Sequence, residues 1–488
     1  MGAALATLMA SGCGGRTGLR PSPLADSEVG SGGSGGAGGS GGNGTTSSTS
    51  STTTGSSSSS SGGGAGGALA ECPAVTCTSW SEVWPDATDS TPYAVSGDPC
   101  GGIAIAGRAG VPFEVDGQTV NEFFVARLDT VGGPSWERDL WTGVGQPRLY
   151  LAADTHGGVV VAGQHNGGWA IDGESVSSDG VTNLVLALDA QGHAKWLRGL
   201  AGEGARITAV AADPQGHVLL AGVQDGGIDA GGGPLAGRAF LVRLSPFGEH
   251  AWSYGFGDAL TQPLSVATDD EGSVYVAGSF MGTLSIADGA TLDAAGDAQG
   301  DVFVVKLDPS GQAVYAKRFG DEQTQGGGRL SVAGDGTTAL LASVAGTVDF
   351  GGGPLSAPGP FPSAVAIARF DSMGGFESAA LIASGAIVSF YEPPGFEVAL
   401  GPTDAAVVSV LDAGVPLLLS VDASSQVANA TPTTSPAGSP HIARVPGGTA
   451  VFGATTTSID LGGGSIPGPS LYVARVCESL SLQMHPRP

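Results

Sequence analysis

Short apolar runs of five or six residues, separated by links rich in glycine and aspartate, recur through most of the chain. The clearest is Phe123-Phe-Val-Ala-Arg-Leu128. It returns as Asn183-Leu-Val-Leu-Ala-Leu188, Ala239-Phe-Leu-Val-Arg-Leu244 and Val302-Phe-Val-Val-Lys-Leu307. Weaker copies are Val365-Ala-Ile-Ala-Arg-Phe370, Leu417-Leu-Leu-Ser-Val421 and Leu471-Tyr-Val-Ala-Arg-Val476. The seven copies lie on average 58 residues apart. A second run precedes each copy, as in Val159-Val-Val-Ala-Gly163 and Val274-Tyr-Val-Ala-Gly278. A third lies upstream of it, as in Leu149-Tyr-Leu-Ala-Ala-Asp154, and a fourth downstream, as in Lys195-Trp-Leu-Arg-Gly-Leu200. In chain order these are strands a, b, c and d. They are apolar at nearly every position, the pattern of strands covered on both faces.

The links between a and b, and between c and d, carry Asp-x-x-Gly, as at Asp154–Gly157, Asp189–Gly192, Asp213–Gly216 and Asp308–Gly311. Asp bonds the turn backbone and Gly accepts a positive φ, so each unit predicts an antiparallel four-stranded meander. Sheets covered on both faces and repeated seven times pack radially. The expected fold is all-β, a seven-bladed β-propeller over residues 71–480; a sandwich or solenoid is the alternative, because sequence alone does not prove ring closure.

Closure leaves a trace at the ends. The last unit has strands a, b and c, and the tail after it (481–488) is short. The segment Cys77-Thr-Ser-Trp-Ser-Glu-Val-Trp84, before the first unit, resembles a strand d and is expected to complete the last blade. Cys477 would then meet Cys77 or Cys72 at one hairpin end. Cys100, in the a–b turn of the first unit, is the third candidate. The spacing of Cys72 and Cys77, with no His nearby, is unlike a zinc site.

The unit resembles the SBBP-type β-propeller repeat, best in Gly272-Ser-Val-Tyr-Val-Ala-Gly-Ser-Phe280 followed by Asp301-Val-Phe-Val-Val-Lys-Leu-Asp308. The resemblance covers about residues 76–477, clearly in the middle units and loosely in the last three. It implies a fold and an extracytoplasmic setting, of the kind seen in bacterial surface lipoproteins. It implies no reaction and no catalytic residues.

The N-terminal part has a different character. Residues 1–12 are small and apolar, as in the core of a secretory signal, and Ala10-Ser11-Gly12-Cys13 resembles a lipobox with Cys13 as the acylated residue. Residues 30–68 contain only Gly, Ser, Thr, Ala and Asn. With no large apolar side chain to offset ordering entropy, the stretch 13–70 is expected to be a disordered tether. The expected setting is outside the cytoplasm, lipid-anchored to a bacterial membrane, either the outer membrane or the cell surface.

Composition narrows the partners. Among 488 residues, 45 Asp and Glu stand against 19 Lys and Arg, a net charge of −26, which disfavours nucleic acid. The 85 glycines fit turns and links. Most Asp residues are absorbed by those turns. Asp288, Asp293, Asp297 and Asp301 crowd one b–c link and are weak candidates for calcium, though their spacing is not that of an EF-hand. No other cofactor is expected. The seven His residues are scattered, with His156, His193, His217 and His250 in or beside turns, and are expected to be lone and exposed. Arg127, Arg243, Lys306, Arg369 and Arg475 recur near the end of strand c, which suggests pairing with turn carboxylates. Trp136, Trp196 and Trp252 recur in strand d and are expected between blades. Trp169, outside that pattern, is a candidate ligand contact.

Two function classes follow. The first is a monomeric, surface-tethered binding or scaffolding module for a glycan, peptide or neighbouring protein. The second is an enzyme on the same ring, such as a glycan lyase or hydrolase or a quinone-dependent dehydrogenase. No catalytic constellation is visible in the sequence, which favours the first. A non-repeating cluster of carboxylate, His and aromatic side chains at one mouth of the ring would favour the second.

Overall fold

The computed structural model describes residues 77–85, 90–110, 112–115, 118–120, 122–140, 148–257, 260–286, 289–296, 300–357, 364–384, 396–401, 405–412, 415–433, 439–461 and 465–477. Cys13, Cys72, the signal-like segment, the Gly/Ser/Thr tether and the tail after Cys477 lie outside them. The described chain is all-β, with seven four-stranded antiparallel sheets. Six blades are consecutive a-b-c-d meanders. Their a strands are Thr91–Gly97, Leu149–Ala153, Arg206–Ala212, Thr261–Thr268, Gln325–Val332 and Glu397–Leu400. The seventh combines His441–Val445, Gly448–Thr455 and Ser470–Cys477 with Trp80–Pro85 from the start of the described chain.

That last pairing closes the ring. Trp80–Pro85 runs antiparallel to Ser470–Cys477, with Trp80 opposite Arg475 and Trp84 opposite Leu471. A disulfide joins Cys77 to Cys477 across 400 residues, with Cα atoms 5.8 Å apart. Cys100 is also disulfide-bonded, and the two cysteines left to pair with it lie outside the described residues. The a strands touch one another in order from blade 1 to blade 7 and back to blade 1, so strand a is innermost and the seven a strands enclose a channel. The described core falls into seven apolar clusters, each shared by two neighbouring blades. No blade buries its faces alone; each is covered by the next.

A repeated latch sets the spacing. The indole Nε1 of Trp80, Trp136, Trp196 and Trp252, each on a strand d, donates to the carbonyls of Thr130, Ala190, Pro246 and Pro309 at 2.9–3.1 Å. Each acceptor is the second residue of the c–d turn of the following blade. The cations of strand c reach the same turns. Lys306, Arg369 and Arg475 donate to Ser372, Asp422 and Thr130 at 3.1–3.3 Å, and Arg243 donates to Pro309. Three cations also pair with the a–b turn carboxylate of their own blade: Arg127 with Asp98 at 2.6 Å, Lys306 with Asp269 at 3.4 Å, and Arg243 with Asp213. The expected pairing with turn carboxylates therefore covers blades 1, 3 and 4. Arg369 and Arg475 also bond to backbone carbonyls, and the Arg369 charge acts on the Asp422 carboxylate of the next c–d turn.

The turn aspartates also act as expected. Oδ1 of Asp98, Asp154, Asp213, Asp308 and Asp371 accepts the backbone N–H groups two and four residues on. The turn glycine has two duties. Gly192 sits at φ 81°, and a Cβ there would lie 2.7 Å from the Trp136 ring; Gly132 under Trp80 and Gly248 under Trp196 repeat the arrangement. The b–c links hold an unexpected element, a two-stranded hairpin in five blades, such as Trp169–Ile171 with Glu174–Val176. Asp229 and Asp349 cap Gly-Gly-Gly turns in these links, so those glycines serve chain reversal.

Replacing Gly192 by Ala should cost about 1–3 kcal/mol, since strain and the indole clash act together. Gly173→Ala should cost less, because that glycine also has positive φ but open space around it. Urea unfolding of both variants checks this. Cys477→Ser should lower stability by about 2–5 kcal/mol, read the same way.

Candidate functional site

The channel opens into a cavity of about 640 Å³ at the end where strand a begins and strand b finishes. That end carries the b–c links. The Asp-x-x-Gly turns and the Cys77–Cys477 bond lie at the other. A cavity of this size suits a small organic molecule.

The pairing register shows how the wall is built. Measured against strand b, one position of strand a recurs at the same level in every blade. It is Ala94, Tyr150, Ala209, Ser265, Arg329, Glu397 and His441 in blades 1 to 7. All seven line the cavity. Blades 1, 3 and 4 place small residues there and leave space. Blades 5, 6 and 7 place a cation, a carboxylate and an imidazole side by side. The ring repeats its backbone at this level but not its chemistry.

These three groups are coupled. His441 Nδ1 lies 2.7 Å from Glu397 Oε1, and Glu397 Oε2 accepts the Ile442 N–H at 2.8 Å. Both side chains are about one-quarter exposed. Burial by itself pushes the Glu397 carboxyl up. The His441 charge and hydrogen bond, the Ile442 N–H and the Arg329 charge outweigh it and hold the carboxyl below its ordinary value. Glu397 is therefore ionised near neutral pH. An ionised acceptor at Nδ1 holds a ring proton on that nitrogen, so Nε2 is the position left for proton exchange with a guest. Arg329 Nη1 donates to the Leu264 carbonyl at 2.5 Å, while its Nε is buried with no hydrogen-bond partner among the described residues. Ser439 Oγ, on the same wall, is in the same condition.

Blade 1, which adjoins blade 7, adds Arg108 and Tyr93 to the cavity lining, and the start of blade 2 adds Arg148. Tyr93 stacks on Phe123 with ring centres 6.3 Å apart. Burial raises its hydroxyl pKa, and the charges of Arg108 and Arg148 partly counter this. Three arginines thus converge on one cavity of a strongly acidic chain. The reading of the histidines as lone and exposed is corrected for His441. It is corrected also for His217, 3.0 Å from buried Asp213, and for His165, which is 7% exposed. His441 and Glu397 are 44 residues apart on different blades, and no local spacing announces them.

The other sequence candidates lie elsewhere. Trp169 sits in the b–c hairpin of blade 2, half-buried against the cluster shared by blades 1 and 2. Trp136 and Trp196 pack between blades as expected. Of the calcium candidates, Asp301 is buried and bonded to Arg318 at 2.6 Å and to the Ala295 N–H at 2.8 Å, so its charge is taken up within the fold. Asp293 accepts from Thr283 at 2.8 Å. Asp288 and Asp297 lie outside the described residues. Among the described residues, no three or more His, Cys, Asp or Glu side chains gather as metal ligands. Among the described residues, no helix is long and apolar enough to cross a membrane.

No protein-family model matches the chain, and no curated protein does. Solved structures do. A streptogramin B lyase shares 9% identity at a TM-score of 0.45, over 81% of this chain and 97% of its own. Virginiamycin B lyase from Staphylococcus aureus gives 9% and 0.45, over 82% and 100%. A puromycin hydrolase gives 12% and 0.44, over 76% and 51%. At such identities no activity carries over to this chain, and its ring stands on its own strand pairing.

Protonation of Glu397 should remove its part in stability. Its folded pKa lies below the ordinary carboxylate value of 4.5, so the contribution is complete above that pH and is lost as pH falls through the folded pKa. Glu397→Gln should cost about 1–3 kcal/mol at pH 7 and much less at pH 3, measured by urea unfolding at both.

Proposed function

We propose that the protein is an extracytoplasmic propeller, tethered to a bacterial surface through Cys13, that takes a small acidic organic molecule into the mouth of its channel. The observation that carries this is the convergence of Arg108, Arg148 and Arg329 on one cavity of a chain whose net charge is −26. A carboxylate entering there meets the partly buried Arg329 guanidinium, held by the Leu264 carbonyl, with the exposed Arg108 and Arg148 adding positive charge at the cavity. The sugar acids of glycans and the carboxyl ends of peptides have this chemistry. The small residues Ala94, Ala209 and Ser265 leave room for the remainder of the molecule. The resemblance to the SBBP-type repeat and the lipobox-like Ala10–Cys13 support the surface setting.

Succinate and glucuronate should raise the thermal midpoint in a concentration-dependent way, whereas succinamide and glucose should not. Arg329→Gln should weaken the effect at least tenfold. Equal shifts with charged and neutral compounds would overturn the reading. Cys13→Ala, expressed in a bacterium with a lipoprotein export pathway, should move the protein from the membrane fraction to the soluble one. Unchanged fractionation would overturn the tether.

A further inference from the structure

We propose that His441, oriented by Glu397, is the general base of an ester hydrolase, acting on a small carboxylic ester that carries an anionic group held by the channel arginines. This rests on the channel being the ligand site.

The other buried charged clusters are explained by the fold. Asp213 with Arg243 and His217, and Asp269 with Lys306 and Tyr275, sit at the turn end of the ring and repeat from blade to blade as braces. Arg329, Glu397 and His441 depart from the repeat. They share one level with Ala94, Ala209 and Ser265, positions at which the same backbone is satisfied by small residues. Nothing in the packing of blades requires charge there.

The arrangement fits attack on a carbonyl. Glu397 occupies His441 Nδ1, and no described residue bonds His441 Nε2. No described hydroxyl or thiol bonds the imidazole either, so the nucleophile it serves is water. His441 Nε2 takes a proton from water as the water oxygen forms a bond to the ester carbon. The carbonyl π pair moves to oxygen, where the Arg329 guanidinium meets the developing charge. That pair then re-forms the carbonyl, the bond to the alkoxy oxygen breaks, and His441 returns its proton to the leaving alcohol. The acid released loses its own proton to solvent. Ester and water give carboxylate, alcohol and one proton, with no other reactant. Arg329 Nε and Ser439 Oγ line this wall buried and without partners among the described residues, so both retain hydrogen-bonding capacity.

The test uses the full oxidised chain with mono-4-nitrophenyl succinate and 4-nitrophenyl acetate as probes. The wild type should hydrolyse the succinate ester, and prefer it over the acetate. His441→Gln should lower kcat by 100-fold or more while succinate still raises that variant's own thermal midpoint by as much as it raises the wild type's. Glu397 acts through His441 as a positioning residue. Glu397→Gln should lower kcat about 10–100-fold and move the acidic limb of the pH–rate profile to lower pH, while Glu397→Asp keeps most of that limb. Arg329→Gln should lower kcat for both probes, through the lost stabilisation of the carbonyl oxygen, and raise KM for the succinate ester. His217→Gln, at the far end of the ring, is the control and should change nothing. Full activity in His441→Gln, or no hydrolysis of either probe by the wild type, overturns the proposal. Succinate binding without hydrolysis would leave the ligand site standing and remove the catalysis. Neither binding nor hydrolysis would remove both.

Discussion

The ring depends on how neighbouring blades grip one another's c–d turns. At six of the seven seams a tryptophan on strand d, a cation on strand c, or both, donate to backbone carbonyls of the following turn. The turn glycine lets the indole lie flat against the chain, since any Cβ would strike the ring. An indole N–H in a half-buried seam needs an acceptor, and a tight turn has carbonyls to offer. The contact is local to two blades, and its repetition, with an indole at four seams and a cation at four, fixes the angle between those neighbours. When the seventh blade meets the first, Arg475 reaches the Thr130 carbonyl from 345 residues away, beside the Trp80 indole. Strand pairing and the Cys77–Cys477 bond then hold what geometry has brought together.

The regularity of the latch frees the inner strands. Because blade spacing is set at the outer strands and turns, strand a has only to present a pleated edge to the channel. One level of that edge carries alanine in two blades and a charged triad in three others. An Arg–Glu–His run on one continuous strand would alternate between faces. Spread over three adjacent blades, the side chains share one level and one cavity. Each neutralises or orients its neighbour: Arg329 and His441 hold Glu397 ionised, and Glu397 holds the imidazole tautomer. Loss of any one leaves a half-buried charge without its partner, which is why the triad behaves as a unit.

Much of this architecture was legible in the chain. Apolar strands with an Asp-x-x-Gly turn between them state both the element and its partner, because the turn leaves little choice of register. The Trp-bearing segment before the first unit stated the closure, since the last unit lacked a strand d. The b–c hairpins were not legible. They are only two or three residues long on each side, and glycine-rich links carry no period. The site was not legible either. It lies on a strands of the three units whose repeat is weakest. One of them, Gln325–Val332, contains three consecutive glycines and does not read as a strand.

The sequence by itself determined the blade: its four strands, its turns, its number and the manner of its joining at the ends. These follow from contacts between residues close in the chain or repeated at a constant spacing. Only the tertiary structure decided which residues face the channel together. His441 and Glu397 meet because a closed ring places the same register position of successive blades at one height. That height depends on the twist and closure of seven sheets, and no short segment of sequence encodes it.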